Sequence, residues 1–352
     1  MPLLNPTFSL TIESLKSSTD NPVAGPKRLV IDRDMDIPAD ALRLDLMERS
    51  GVALGDEVTV ALGHDGDEET VFTGDVVMLR PAIVGVEIRA LGVMNELLKL
   101  RTAATFEEQT AGSIARDLIS QAGLSAGTVD DGPTLPRYAV DSRLSAFAHL
   151  KDLADRLGYE LYADRHGNVM FHALGPAAGL DAAAGGLLGA VVASAAALLG
   201  IGGGESYAYG QHLLAAASDQ RPVAWGTIEV GGESPMSGQG ATTAHWLTVS
   251  DADYRGSAGD GDPTLLVLDA AARTQDLADR FAASRLATAA RKAHQVRLTV
   301  LGRPQVDLGD SITASGLSDE LINGKGYVRA IRHRFGEEIG FVTDFRIAVG
   351  EW

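Results

Sequence analysis

One stretch of the chain carries oxygen-bearing side chains at nearly the spacing of a calcium-binding loop. The first, third, sixth and twelfth places of such a loop would be Asp251, Asp253, Gly256 and Asp262. A calcium loop also needs an oxygen ligand at the fifth place and a bidentate glutamate at the twelfth. Arg255 stands at the fifth place, and no strongly predicted helix precedes the stretch. It is a weak metal-site candidate, and an aspartate- and glycine-rich surface loop is the alternative interpretation.

Other residue types that support catalysis are present, but not at catalytic spacings. Gly324-Lys325-Gly326 lacks the spacing and the following hydroxyl of a phosphate-binding loop. Ser234 is followed by Pro235, which does not build a nucleophile elbow. His166 and His172 flank one short predicted strand, a pattern more typical of surface or core histidines than of metal ligands. The sequence therefore predicts no catalytic residue, no cofactor-binding residue and no cofactor.

Composition narrows the possible partners. The 352 residues are enough for two or three domains and a substantial core. The formal net charge of −17 and the lack of a Lys/Arg cluster argue against specific nucleic-acid binding, which needs a phosphate-neutralising surface. The absence of cysteine excludes disulfides and thiolate metal sites. No basic region followed by an apolar core stands at the N-terminus, so we predict no signal peptide and folding in the cytoplasm.

Alternating apolar and polar runs predict a first β-barrel-like domain over residues 1–105. Its strand candidates share a period of two and are residues 8–12, 30–32, 41–46, 54–60, 71–77 and 86–90. A charged stretch at residues 64–69 is predicted to form an exposed hairpin tip.

A late stretch, residues 298–347, reads as a second copy of residues 51–91. Leu54-Gly55-Asp56 in the early copy matches Leu308-Gly309-Asp310 in the late copy, and three strand-like runs are present in each. Glycine permits the turn conformation, and aspartate bonds the backbone where the strand begins. The repeat predicts two related β units near the two ends of the chain.

Between the two units, residues 106–173 predict an α+β region of two helices and a hairpin. The first helix covers residues 110–122 and ends at Gly123. The second has an apolar face, a cap at Asp141 or Ser142, and an end at Gly158. The apolar face comprises Leu144, Phe147, Leu150, Leu153, Ala154 and Leu157. Residues 159–162 and 169–171 form the predicted hairpin.

An Ala/Gly-rich apolar insertion occupies residues 174–206, and its residues 182–204 carry no charge. That length meets the usual criterion of ~20 apolar residues for a transmembrane helix, although its Ala/Gly content does not favour one. A flexible loop with a short helix is a second interpretation. A third is close packing of several subunits through small residues spaced by four, namely Gly185, Gly189, Ala193 and Ala197.

Residues 207–352 predict the second β-barrel-like domain, which includes a long Ala-rich helix over residues 269–293. Asp269 is the predicted N-cap of this helix. The fold class is therefore α+β, with two related antiparallel β-barrel-like domains flanking a helix-containing middle region.

The order of these features resembles a known family. The turn at Gly55-Asp56, the run Phe72-Thr73-Gly74 and the helix around residues 144–157 come first. Gly302-Arg303-Pro304, Leu308-Gly309-Asp310 and a final stretch containing Tyr327-Val328 and His333 follow. From about residue 7 to 349 this order is similar to that of the late control D or gp27-like baseplate hub proteins of contractile phage tails and injection systems, which include the N-terminal part of VgrG proteins.

The resemblance implies a non-enzymatic structural subunit. It implies a homotrimer with pseudo-sixfold symmetry that joins a hexameric inner tube to a trimeric spike, with baseplate wedge proteins as further partners. Because the chain ends at Trp352, we expect a separate spike protein. Phe341, Phe345 and Trp352 are predicted to lie toward that spike.

Two alternatives remain open from the sequence. One is a tail-associated hydrolase of peptidoglycan or peptides with no recognisable motif. The other is a small membrane-associated assembly protein, which depends wholly on residues 182–204.

Overall fold

The computed structural model describes residues 4–13, 15–48, 51–174, 204–233 and 252–349. Strands dominate, most of them antiparallel, and the helices are few, which confirms the predicted α+β class. The strands of the first β unit are β1 (Pro6–Ile12), β2 (Leu15–Ser18), β3 (Pro26–Asp34), β4 (Ala41–Leu46), β5 (Glu57–His64), β6 (Asp67–Pro81) and β7 (Val86–Gly92).

The middle region alternates helices and short strands. Its elements are α1 (Asn95–Lys99), β8 (Ala104–Thr110), α2 (Ala111–Gln121), β9 (Ala126–Val129), β10 (Thr134–Val140), α3 (Ala146–Leu157), β11 (Tyr159–Ala163) and β12 (Val169–Ala173). Strands β11 and β12 form the predicted hairpin, and β9 adds to it in parallel.

The late part of the chain returns to strands, with one long helix. Its elements are β13 (Glu205–Ala208), β14 (Leu213–Gln220), β15 (Thr227–Gly232), β16 (Tyr254–Gly259), β17 (Thr264–Leu268), α4 (Gln275–Ala293), β18 (His294–Leu301), β19 (Ser311–Ser315), β20 (Gly324–Gly336) and β21 (Gly340–Val349). None of the helices in the described ranges is long and apolar enough to cross a membrane. Residues 182–203 of the predicted apolar insertion lie outside those ranges.

The two β units share one 13-stranded sheet rather than standing apart. Its main path runs β14-β18-β21-β20-β3-β4-β7-β6-β5-β1-β2, and β13 and β19 branch from β20. The link is the antiparallel pairing of β20 with β3, in which Ala330 lies opposite Asp34 and Gly336 opposite Arg28. Hydrogen bonds of the sheet therefore join residues from opposite ends of the sequence.

Each β unit has its own hydrophobic core, and each core accepts a side chain from the other unit. Phe341 of β21 packs in the core of the first unit, whereas Met35, which follows β3, packs in the core of the second. A third core belongs to the middle region and also takes in Ile228 of β15 and Phe281 of α4. The predicted domain boundaries, which assign β15 and α4 to the second β unit, stay a prediction.

The start of α3 differs from the prediction, whereas its end agrees with it. Ser145, not Asp141 or Ser142, caps α3, since its side chain accepts a hydrogen bond from the Ala148 N–H at 3.2 Å. Asp141 instead binds the guanidinium of Arg143. Leu144 precedes the helix and is exposed, so it is not part of the apolar face. The predicted end at Gly158 matches the structure, where this residue has φ +71°.

Helix α4 begins at Gln275 with Thr274 as its cap, not at Asp269. The Asp269 carboxylate is engaged elsewhere, because it accepts hydrogen bonds from Arg156 at 2.7 Å and from Arg285 at 3.3 Å. Its burial among cations, rather than helix capping, accounts for the acidic residue at this position.

Candidate functional site: an ion-paired junction and a repeated turn

Arg33 of β3 is a buried cation at the place where three parts of the chain meet. Its Nε lies 3.0 Å from Asp40 Oδ2, its Nη1 lies 2.7 Å from Asp307 Oδ1, and its Nη2 donates to the Ala163 carbonyl at 2.9 Å. Burial lowers the pKa of Arg33, but the two carboxylates outweigh burial and raise it above its ordinary value. One side chain thus links the first β unit, the β11–β12 hairpin and the late β unit.

Arg329 of β20 is the centre of a second buried cluster. It forms an ion pair with Glu160 of β11 and lies 2.9 Å from Asp36 Oδ1. Arg291 of α4 lies 3.7 Å from the same glutamate, and the Tyr327 hydroxyl donates to it at 3.3 Å. Burial raises the pKa of Glu160, but Arg329 and Arg291 outweigh burial, so its pKa lies below the ordinary value. Glu160 is therefore a buried anion between two buried cations.

These two clusters, around Arg33 and around Arg329, are called the junction below. Guanidinium groups keep their charge at all physiological pH values and hold carboxylates in fixed geometry. Buried ion pairs contribute little net stability, but removing one partner is strongly unfavourable. The junction is thus suited to fixing the two β units and the middle region relative to one another.

The sequence alone did not identify the junction, although it contained a signal. In an extended strand, Arg33 shares a face with Leu29 and Ile31, the face expected to be apolar. Glu160 likewise stands inside the apolar run of β11. A charge at an inward strand position predicts a buried partner, but the sequence does not say which of the many opposite charges is that partner.

The repeated Leu-Gly-Asp turn has the same geometry in both copies. Gly55 has φ +89° and Gly309 has φ +88°, conformations that favour glycine. The Gly55 N–H donates to Val76 O at 2.8 Å, and the Gly309 N–H donates to Val328 O at 2.9 Å. The two aspartates act alike too. Asp56 accepts from the Ala53 N–H and Asp310 from the Asp307 N–H, each at 2.7 Å.

The equivalence continues along the following hairpins. Strand β6 has a register irregularity against β7 between Val76 and Met78, and β20 has one against β21 between Val328 and Ala330. Gly74 and Gly326 are also equivalent, since a Cβ at either position would lie 2.1 or 2.3 Å from a carbonyl oxygen of the neighbouring strand. The two units are therefore structural repeats.

Two open clefts lie side by side, and both are lined by Arg297 and Arg346. Their volumes are about 510 and 640 Å³. Charged groups in ion pairs line much of both, including Arg346 with Asp34 and Arg332 with Asp32. Small-molecule sites are mostly apolar with a few convergent polar groups. The smaller cleft lacks that character, because nearly all of its lining residues are charged, whereas charged and apolar residues share the lining of the larger cleft.

The predicted interface residues have mixed locations. Phe341 and Phe345 are 2% and 1% exposed, and their rings pack in the cores of the two β units. Trp352 lies outside the described residues, as do the four small residues of the insertion, Gly185, Gly189, Ala193 and Ala197. Contact of this part of the chain with a spike stays a prediction.

Those residues of the calcium-site candidate that the structure describes do not lie close together. Asp251 lies outside the described residues, and Asp253 and Asp262 lie on either side of β16. A strand of six residues spans about 20 Å, too far for two ligands of one ion. Within the described ranges, no group of three His, Asp or Glu side chains is placed to hold a metal ion.

Comparison with known proteins gives no match by sequence and clear matches by structure. No protein-family profile and no curated protein sequence matches the chain. The 43 kDa tail protein of prophage MuSo2 from Shewanella oneidensis superposes with a TM-score of 0.68 at 15% identity, covering 97% of this chain and 98% of the other. A tail protein from Neisseria meningitidis MC58 gives 0.70 at 13% identity, covering 97% and 96%.

A third match comes from a secretion system. The E. coli c3393 protein superposes with a TM-score of 0.56 at 11% identity, covering 97% of this chain and 77% of the other. That protein is described as a component of the type VI secretion system with structural similarity to the T4 tail proteins gp27 and gp5. The resemblance expected from the sequence is thus confirmed at the level of the fold: this chain has the fold of phage tail proteins of the gp27-like kind.

Proposed function

We propose that this chain is a structural hub subunit of a phage tail or a related injection system. In this role it acts as a homotrimer that joins a hexameric inner tube to a separate trimeric spike, and baseplate wedge proteins surround it. The subunit assembles in the cytoplasm, resides in the particle, binds no nucleic acid specifically and performs no catalysis.

The observation that carries the proposal is the structural repeat. Gly55 and Gly309 have the same φ and the same hydrogen bonds, and the strands that follow share their irregularities. Three copies of a chain with two similar units present six similar units around one axis. That arrangement matches a sixfold tube on one side and a threefold spike on the other.

The junction supports the same role. A part that connects a tube to a spike must keep its two repeats in a fixed relation under load. Arg33 and Arg329 each bind groups from both repeats and from the middle hairpin, and both are almost fully buried. The shared sheet adds main-chain hydrogen bonds across the same boundary.

The two clefts that share Arg297 and Arg346 give the hydrolase alternative no support. A hydrolase site needs a nucleophile or an acid–base pair around a space where the scissile bond can lie. The charged groups in these clefts are mostly ion-paired arginine and aspartate side chains instead.

Symmetry and mass test the proposal. We expect light scattering to give the mass of three chains, and negative-stain class averages to show a threefold ring with a central channel and six similar lobes. The measurement is repeated after co-expression with the spike candidate encoded nearby, since a spike can stabilise the trimer. A monomer in both preparations, or a twofold particle, would overturn the hub assignment.

A further inference from the structure

Strands β14 and β6 of the shared sheet each keep an unpaired edge among the described residues. Strand β14 pairs with β18 on one side only. Strand β6 pairs with β7 up to Pro81, but its pairing with β5 on the other side reaches no further than Asp75. Residues 78–81 of β6 therefore have one free edge. Exposed edges of this kind are templates for pairing with another chain.

The repeat shows what covers the equivalent edge elsewhere in the molecule. Val76 is equivalent to Val328, so residues 78–81 of β6 correspond to residues 330–333 of β20. In β20 that edge is not free, because it pairs with β3. The chain thus contains one example of the contact that the free edge of β6 lacks.

The partner strand is also determined by the repeat. Within the two units, β7, β4 and β3 follow β6 in the same order as β21, β18 and β14 follow β20. Strand β14 is therefore the counterpart of β3. Strand β3 pairs with β20, whereas β14, at the end of the sheet, has no such neighbour among the described strands.

We propose that β14 of one copy of this chain pairs antiparallel with the free edge of β6 in the next copy, which closes a ring of three. This inference rests on the proposed trimer and specifies its interface. The contact within the chain, β20 with β3, and the contact between chains, β6 with β14, would then be equivalent and alternate around the ring.

The register of this contact follows from the pairs in the structure. Arg43 of β4 lies opposite Arg89 of β7 on one side and opposite Val30 of β3 on the other. The equivalent residue of β18 is Arg297, which lies opposite Arg346 of β21 and opposite Ala217 of β14. Val30 is thus equivalent to Ala217, and Asp32 to Asp219, two residues further along.

Arg332 lies opposite Asp32 within the chain, and the two form an ion pair. The equivalent residues are Arg80 and Asp219. The same pair of residue types therefore stands at equivalent positions, although nothing in the strand pattern requires an arginine and an aspartate there. Within one chain Arg80 lies 3.4 Å from Glu87, and Asp219 forms an ion pair with Arg297. Arg80 is nevertheless 64% exposed and Asp219 39% exposed, so both are accessible to a second copy.

Apolar groups from both copies lie together at one end of this charge pair. Ile83 and Val84, in the turn after β6, are large exposed hydrophobic residues, and so is Leu214 of β14. In the antiparallel register the β6 turn lies toward the Leu214 end of β14. Pro81 has no N–H, so one hydrogen bond of a full ladder is missing there, which also limits unspecific pairing of this edge.

Cysteine cross-linking tests the contact directly, because the chain contains no cysteine of its own. In the double variant Arg80→Cys/Asp219→Cys, oxidation should give covalent dimers and then trimers as the final product on a non-reducing gel. A mixture of the two single variants should give only dimers that contain one chain of each. The matched control is Arg137→Cys/Asp219→Cys, since Arg137 is 59% exposed and is also ion-paired, but with Glu107 on another sheet.

Light scattering of the same samples separates failure of the contact from failure of the hub. Cross-links in the Arg80/Asp219 variant and none above background in the control would support the interface. A trimer by mass that does not cross-link would overturn the β6–β14 contact and leave the hub proposal standing. A monomer at every concentration, with no cross-link and also after co-expression with the spike candidate, would contradict both. Products larger than a trimer would show a contact that does not close at three copies.

Discussion

Glu160 is a buried carboxylate shared by two buried arginines. It is 2% exposed, forms an ion pair with Arg329 and lies 3.7 Å from Arg291. Glu160→Gln removes the negative charge but keeps the size of the side chain, and leaves both cations without it. We expect the free energy of unfolding to fall by about 3–5 kcal/mol, the usual cost of breaking a buried pair.

Urea denaturation of the wild type and of Glu160→Gln measures this loss. The matched control is Glu107→Gln, because Glu107 pairs with Arg137 on an exposed surface and such pairs contribute about 0–1 kcal/mol. If both variants lost the same small amount, the junction would not hold the molecule together.

His333 gives the stability of the protein a specific dependence on pH. Its ring is fully buried, its Nδ1 lies 3.0 Å from Thr343 Oγ1, and its Nε2 has no hydrogen-bond partner among the described residues. Burial, with a smaller contribution from Arg33 that exceeds the opposite effect of Asp307, lowers the pKa of His333 to about 3. The unfolded chain binds a proton here below pH ~6.5, while the folded chain stays neutral until about pH 3.

Stability should therefore fall as the pH is lowered from ~6.5 toward 3, by up to about 1.4 kcal/mol per pH unit from this group. His333→Gln removes the titrating ring, so its stability relative to the wild type should improve as the pH falls. Urea denaturation at several pH values measures that difference, in which the effects of the carboxylates cancel. A constant difference between wild type and His333→Gln would contradict the prediction.

At the scale of elements, the two Leu-Gly-Asp turns form a natural matched pair. Gly55 and Gly309 share a positive φ, so alanine at either position should cost about 1–2 kcal/mol in backbone strain. At Gly55 an added Cβ meets open space, whereas at Gly309 it would lie 2.7 Å from the Tyr162 hydroxyl oxygen. That hydroxyl is hydrogen-bonded to His172 Nε2 at 3.0 Å and cannot move without losing the bond.

We therefore expect Gly309→Ala to be clearly more destabilising than Gly55→Ala. The midpoints of urea denaturation of the two variants give the comparison. Equal midpoints would indicate that the late turn does not rest against the β11–β12 hairpin.

The sequence predicts those features of the fold that are determined by residues close together in the chain. The repeated turns and the end of α3 at Gly158 follow from glycine conformations and short-range hydrogen bonds, and they were predicted. The pairing of β20 with β3 was not, because nothing in either strand specifies a partner some 300 positions away. The start of α4 was misjudged because Asp269 is a typical cap residue, while its actual partners, Arg156 and Arg285, are set by the tertiary structure.

At the scale of the whole molecule, the net charge of −17 acts against the proposed trimer. Like charges on three copies repel over roughly the Debye length, which falls from about 30 Å at 0.01 M salt to about 10 Å at 0.1 M. The proposed Arg80–Asp219 contact is short-ranged and exposed, and pairs of this kind contribute only about 0–1 kcal/mol. Screening should therefore remove more repulsion than attraction.

Trimer formation should strengthen as salt rises from about 0.01 to 0.1 M. Sedimentation equilibrium at the two salt concentrations measures the association constant. Arg80→Gln should weaken association at both concentrations yet keep the same direction of the salt effect, because the repulsion belongs to the whole chain and not to one side chain. Association that weakened with salt would mean that short-range ion pairs between copies dominate, and that the acidic surface of each copy lies far from its neighbours in the ring.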